Sequence, residues 1–360
     1  MRARATDRDR DRDLDVERVA VEAYDGPTAP DSLLREIFAL WQAEDAELRP
    51  DDPPYAYEEV EGLYRVADDR EVRRRWVARD TSGALVGRAD ARLPLISNRD
   101  LALVEVYVSP DARTAGVGTA LVRALLDELE ASGRARIRTH IPEGSPGDAY
   151  LAARGGTIAL TNRKSRMDLT KLDRAMIRSW VEAAERGAGD RYSLRWFSRP
   201  PEEDLERYVA VRSMMNTAPR GDLEDEDWRH TPESVLAEAD ELAAERLQRW
   251  SLVVVHDATG DFVGFTEVLF AESAPGHAWQ GGTAVRPDHR NHGLGRWLKG
   301  AMAERLLAER PAVRFVDTEN AYTNEPMLHI NLAMGFELAE TINDWQASVT
   351  DVRAALEAHP

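Results

Sequence analysis

The chain contains no cysteine, which excludes disulfides, thiolate zinc sites and a cysteine nucleophile. No apolar run approaches the roughly 20 residues needed to cross a bilayer. The first residues alternate arginine and aspartate from Arg8 to Asp13 instead of carrying an apolar core, so neither a signal peptide nor an anchor is expected there. Residues 1–13 are expected to be a disordered tail. Cations are also scarce: 47 Lys and Arg stand against 65 Asp and Glu, a formal charge of −18, which argues against a phosphate-gripping nucleic-acid surface. These shortages predict a soluble cytoplasmic protein whose partner is a small molecule, with no nucleic acid and no membrane. A cationic partner suits the charge, although charge speaks more directly to solubility. The oligomeric state is not written in the sequence.

What is present is a repeat. At 360 residues and 43% hydrophobic content the chain can bury two cores. Twice a short apolar strand meets a proline and then Arg-x-x-Gly-x-Gly. The first copy runs from Val104 through Pro110 to Arg113, Gly116 and Gly118; the second runs from Gly282 through Pro287 to Arg290, Gly293 and Gly295. The arginines, the prolines, Val86-Gly87 and Val263-Gly264, Asp80 and Asp257, and Gly83 and Gly260 all lie 177 positions apart. A gapless register of that kind predicts two homologous units. Each has a hairpin (Trp76 to Arg88; Leu252 to Leu269) turning at Asp-x-x-Gly, then a strand, the glycine loop and an amphipathic helix. A further strand (Ala135 to Thr139; Val313 to Thr318) and a short helix ending at Gly155 or Gly335 complete each copy. The expected division is an N-terminal domain at 14–172, a linker at 173–190, a C-terminal domain at 191–350 and a tail at 351–360.

The glycine loop is a pyrophosphate cradle. Glycines at the first turn of a helix expose backbone N–H groups and let phosphates approach the main chain, and the helix N-terminus adds partial positive charge. Arg113 and Arg290 add a cation. The dinucleotide fingerprint wants a third glycine near Leu121 or Leu298, and the triphosphate loop wants Gly-Lys-Ser/Thr; the chain has neither. His289 and His292 have metal-like spacing, but no third ligand is evident, so no metal is expected.

With these loops the sequence resembles the GNAT superfamily of acetyl-CoA-dependent N-acyltransferases, tandem two-domain type, and more loosely mycothiol synthase. The resemblance implies an α/β (α+β) fold: two domains, each a mixed, mostly antiparallel twisted sheet flanked by helices. It implies acetyl-CoA as acyl donor, held by Arg290, Asn291, His292, Gly293, Leu294, Gly295 and Arg296 in one half, and by Arg113, Gly116, Val117, Gly118 and Thr119 in the other. Pantetheine would add like a strand beside Val285 or Val108. A second family motif, an Asn eleven residues before Gly-Phe, is present as Asn324 and Gly335-Phe336; the first half has Gly144 and Gly155-Gly156 instead. The resemblance therefore implies acetyl transfer to a primary amine of a small molecule or peptide, by direct attack in a ternary complex in the C-terminal domain. The alternatives are a mycothiol-synthase-like acetyltransferase and a non-catalytic acyl-CoA-binding regulatory module.

Direct attack needs a base for the amine proton and an acid for the departing thiolate. In the family a Tyr four residues before the glycine of Gly-Phe is the usual acid; that position holds Asn331 here and Leu151 in the first half. Candidate catalytic residues are then Glu267 and Glu319, on or just after strands, Tyr322 nearby, Asn331 itself, and Glu105 within the apolar run Leu103 to Val108. The position equivalent to Glu105 in the second copy is Gly282. The acidic run Asp222 to Asp227 precedes a helix start at Thr231-Pro232. The tryptophans Trp196, Trp228, Trp250 and Trp279 fit packing better than a pocket.

Overall fold

The computed structural model describes residues 19–188 and 190–358, so the tail expected at 1–13 lies outside the described residues. The chain begins with β1 (Ala20–Tyr24), α1 (Asp31–Leu48) and α2 (Tyr57–Arg65), and then enters the first hairpin, β2 (Glu71–Arg79) and β3 (Leu85–Pro94). The turn follows from its residues. The Asp80 carboxylate accepts from the Ser82 and Ala84 amides, and Gly83 takes φ +85°, where a side chain is disfavoured. Next come β4 (Leu101–Val108), α3 (Val117–Ala131), β5 (Arg136–Pro142) and α4 (Pro146–Ala152). These strands lie in the order β1-β2-β3-β4-β5, antiparallel except for the parallel pair β4–β5.

The second unit repeats the plan. It uses β6 (Thr157–Asp168), α5 (Arg174–Ala188), β7 (Tyr192–Phe197), α6 (Leu205–Arg212), α7 (Pro232–Ala244), β8 (Leu247–His256) and β9 (Asp261–Ala271). Before α10 (Val349–Ala358) is reached, the unit continues through β10 (His277–Val285), α8 (Leu294–Glu309), β11 (Phe315–Ala321), α9 (Glu325–Ala333) and the greater part of β12 (Glu337–Ser348). Its strand order is β6-β11-β10-β9-β8-β7, antiparallel except for β10–β11. Helix α7 starts as its sequence predicts: Thr231 and Ser234 form a reciprocal capping box with Pro232 in the first turn.

The repeated Val-Gly pairs have a packing reason. A Cβ on Gly87 would come within 3.0 Å of Leu121, and one on Gly264 within 3.3 Å of Leu298. The helix after each glycine loop lies against the sheet at that point, and only glycine leaves room.

Compactness does not follow the order of the chain. The first unit consists of residues up to Tyr57, Tyr64–Ile158 and Asp344 onward; the second consists of Glu58–Leu63 and Ala159–Asn343. The end of β12 and α10, expected as a domain edge and a tail, therefore build the first unit. Ala347, Val349, Val352 and Leu356 are buried in one core with Trp76, Leu121, Leu125 and Leu126. The segment expected as a linker is mostly helix α5, whose Ile177 and Ala184 are buried in the second unit's core with Leu298, Met302 and Phe336. A smaller cluster of Leu205, Tyr208, Val211, Val235 and Phe265 fills the opposite face of the second unit's sheet.

Candidate active site

Both glycine loops are folded to one template. Gly116 and Gly293 take φ of +81° and +77° as the caps of α3 and α8, so the next amides emerge at a helix start. Arg113 Nε donates to the Val108 carbonyl at 3.0 Å, and Arg290 Nε donates to that of Val285 at 3.1 Å, tying each loop to its strand. Nothing lies within 4 Å of where a Cβ on Gly293 would project, so the cradle is clear for a diphosphate. The residues between the paired glycines, Val117 and Leu294, are core, which leaves only their main chain for a ligand.

The loops differ in charge. Both terminal nitrogens of Arg113 donate to Glu47 at the end of α1, at 2.6 and 2.7 Å, and the Tyr107 hydroxyl donates to the same carboxylate. The hydrogen bond from Arg113 holds the Glu47 carboxyl below its usual range. Arg290 meets no carboxylate among the described residues. Near it, Arg296 stacks on Trp180 and approaches His329, and His289 accepts or donates a 2.9 Å bond with the Tyr192 hydroxyl. Burial pushes His289 below its ordinary pKa, and Arg286, His256 and His292 add to the effect. No group of three or more potential ligands able to hold a metal occurs among the described residues.

Each loop lies beside a split in its sheet. The parallel pairing of β4 with β5 covers only Leu101–Leu103, and that of β10 with β11 ends at Gln280 and Thr318. Beyond those residues the strands part, leaving the β11-facing main chain of Gly281–Val285 open for an extended ligand. The register of β10 against β9 shifts between Gln280 and Thr283, and the Gln280 amide braces the shift by donating to Thr266 and to the Glu267 carbonyl. Gly282 sits in this bulge, where a Cβ would come within 3.0 Å of Phe265.

A family model described as the Acetyltransferase (GNAT) family matches residues 34–146 and 213–336. The chain belongs to the GNAT family. Among solved structures it is similar to a tandem GNAT protein from the clavulanic acid biosynthesis pathway, at 25% identity and a TM-score of 0.76, over 92% of this chain and 98% of that one. It is also similar to a GCN5-related N-acetyltransferase from Sphaerobacter thermophilus, at 17% identity and a TM-score of 0.61, over 92% and 96% of the two chains. That second likeness shows the fold alone. No curated protein matches the chain.

In this GNAT chain the register sorts the sequence-predicted catalytic residues. Strand pairing puts Ser251, Glu267, Trp279, Asp317 and Glu319 on one face of the second sheet, and Thr266, Gln280, Thr318 and Asn320 on the other. Helix α6 covers the first face, and α8 and α9 cover the second. Glu267 is buried and accepts from Tyr208 and Ser251, with Arg212 and Arg249 within 4 Å. Asp317 is likewise engaged, in a bidentate pair with Arg166. Glu319 is half-buried, two residues past the Asp317–Trp279 pairing and opposite Lys164 of β6. Tyr322 is exposed and bonds Thr341 at 2.9 Å.

Asn324 caps α9 through its main chain, and its carboxamide makes no hydrogen bond among the described residues. Asn331, in contrast, is fully buried and bonded at both ends of its carboxamide. In the first unit, Glu105 faces Arg88, which also pairs with Glu44 and Asp90. Desolvation pushes the Glu105 carboxyl up, but Arg88 and Arg92 outweigh it and hold the carboxyl below its usual range. Sequence reasoning missed Glu47, Tyr208 and Lys299. The first two act through contacts distant in sequence, and Lys299 reads as an ordinary surface residue of a helix.

Proposed function

We propose that this protein transfers an acetyl group from acetyl-CoA to a primary amine of a small molecule or peptide, in a ternary complex formed in the second unit. One observation carries the placement: Arg290 is tied to its strand and meets no carboxylate among the described residues, whereas Arg113 is already bridged by Glu47. Pyrophosphate would lie on the amides after Gly293, with Asn324 and Arg296 at its flanks. Pantetheine would run along the open main chain of Gly281–Val285 and bring the thioester to the level where β10 and β11 separate.

Glu319 is the base best placed for the incoming amine. It is partly accessible, on the face covered by α6, at the parting of the strands. Glu267 on the same face is held in its own polar cluster and serves the wall. The general geometry of the reaction asks for a base within hydrogen-bond reach of the amine. The protein has no cysteine, so CoA released from acetyl-CoA can be followed with a thiol reagent without background from the chain. With an amine panel, thiol release should accelerate with at least one amine and disappear in Gly293→Glu. Release that no amine accelerates would instead support a non-catalytic acyl-CoA-binding module. Preference for a cysteinyl-glucosaminyl-inositol acceptor would select the mycothiol-synthase-like reading.

A further inference from the structure

Lys299 is a cation with no ionic partner among the described residues, buried in the second unit. It sits on α8, 1% exposed, with its ammonium over the Phe336 ring at 5.2 Å. Its hydrogen bond goes to Asn331 Oδ1 at 2.5 Å; Asn331 Nδ2 in turn donates to Asn320 Oδ1 at 2.7 Å. No ion pair reaches it among the described residues. Arg296 on the same helix turns to His329 and Trp180, Arg305 pairs with Glu309, and Asp317 of β11 is paired with Arg166. Burying an amine this way costs stability, and a methionine of similar length would fill the space without that cost.

The ladder has a direction. A charged lysine only donates, so Asn331 must present its oxygen to Lys299 and its amide to Asn320. Asn320 must then present its oxygen to Asn331, and its own NH2 is left without a partner among the described residues. Asn320 is partly exposed and stands on β11 beyond the last residue paired with β10, at the mouth of the split.

We propose that Lys299 and Asn331 are positioning residues that aim the Asn320 amide at the sulfur of CoA, where negative charge appears as the thioester breaks. This rests on the placement of acetyl-CoA in the second unit. In the step, the amine nitrogen bonds to the thioester carbon, the C–S bond breaks, and its electron pair passes to sulfur. Glu319 takes the amine proton, and the thiolate gains a proton from solvent after release. Asn320 donates a hydrogen bond and keeps its proton, while the charge of Lys299 polarises the ladder behind it. Burial lowers the pKa of Lys299 to about 7, so the charged form is retained on the acid side of neutrality.

The test needs no acceptor. Thiolate absorbs in the ultraviolet, and a cysteine-free protein leaves CoA as the sole thiol. The thiol of CoA bound to the wild-type protein should ionise about tenfold more readily than that of CoA bound to Lys299→Met or Asn320→Ala, a shift of about one pH unit. Asn320→Ala removes a partly exposed group and keeps the test open if the Lys299 variant does not fold. Equal ionisation in the wild-type and Asn320→Ala complexes would overturn the proposal. CoA bound as tightly by Gly293→Glu as by the wild type would instead overturn the placement on which it rests.

Discussion

The two glycine loops share a backbone and differ in what faces them. In the first unit Glu47 and Tyr107 close over the loop arginine, and the strand face behind it is filled by Arg88 with Glu44, Asp90 and Glu105. In the second, the arginine meets no carboxylate among the described residues, and the strand carries Gly282 where the first has Glu105. The residue after the arginine differs in the same sense. Both loops hold it in the left-handed region, φ +63° for Thr114 and +65° for Asn291, a conformation asparagine tolerates and a β-branched residue does not favour. A motif can thus be kept for the turn it makes. The bond from arginine to the strand carbonyl and the helix start serve the fold in both units, and the proposal that the second holds the anion rests on Arg290 meeting no carboxylate among the described residues.

The comparison can be broken most severely through the chain ends. Ending the chain after Asn343 removes Val349, Val352 and Leu356 from the first unit's core. Each such side chain contributes about 1.5–3 kcal/mol when fully buried, and a whole domain has only about 5–15 kcal/mol to lose. Limited proteolysis should find residues 19–158 degraded and the second unit more resistant. Equal resistance of both would contradict the segment assignment.

Next in size is Glu319→Gln, expected to lower kcat about 100-fold with little change in acetyl-CoA affinity, in line with the loss of a general base. Glu105→Gln should leave kcat unchanged, and the reverse ranking would move the chemistry to the first unit. Lys299→Met should raise Tm. The folded-state pKa of this lysine lies below its unfolded value, so the unfolded chain binds more protons between about pH 7 and its normal pKa near 10.4. Wild-type stability therefore rises with pH across that window, and the advantage of the variant should be full below pH 7 and shrink above it. A gain that does not vary with pH would show that Lys299 stays charged when buried.

The smallest effect on stability should come from Glu47→Gln. Its ion pair is about a quarter exposed on each side, and such pairs contribute under about 1 kcal/mol. Freed of Glu47, Arg113 should admit a second, weaker acetyl-CoA, seen as a change in binding stoichiometry. Unchanged stoichiometry would mean that the rest of the first unit, not Glu47, closes that loop.

Much of this was legible in the sequence. The 177-residue register located both loops, the hairpin turns and the helices after them, because each depends on neighbours within a few residues: a proline, a glycine at positive φ, an apolar stripe. Membership of a strand in one sheet or another does not. Nothing in Thr157–Asp168 or in Asp344–Ser348 says which unit's core it joins, so the exchange of those segments was invisible, and α5 read as a linker. The carboxylates sorted only once pairing was known, since Glu267 and Glu319 look alike until the register places one beside Tyr208 and Ser251 and the other on β11 just past its last residue paired with β10. Glu47 lies 66 positions from Arg113, and no local pattern connects them.

The central claim is that acetyl-CoA binds at the second loop. Calorimetric titration of acetyl-CoA into the wild-type protein, Gly116→Glu and Gly293→Glu tests it directly, with thermal melts to confirm that each variant is folded. A single site, retained in Gly116→Glu and lost in Gly293→Glu, is the predicted result. A site that disappears with Gly116→Glu and survives Gly293→Glu would contradict it.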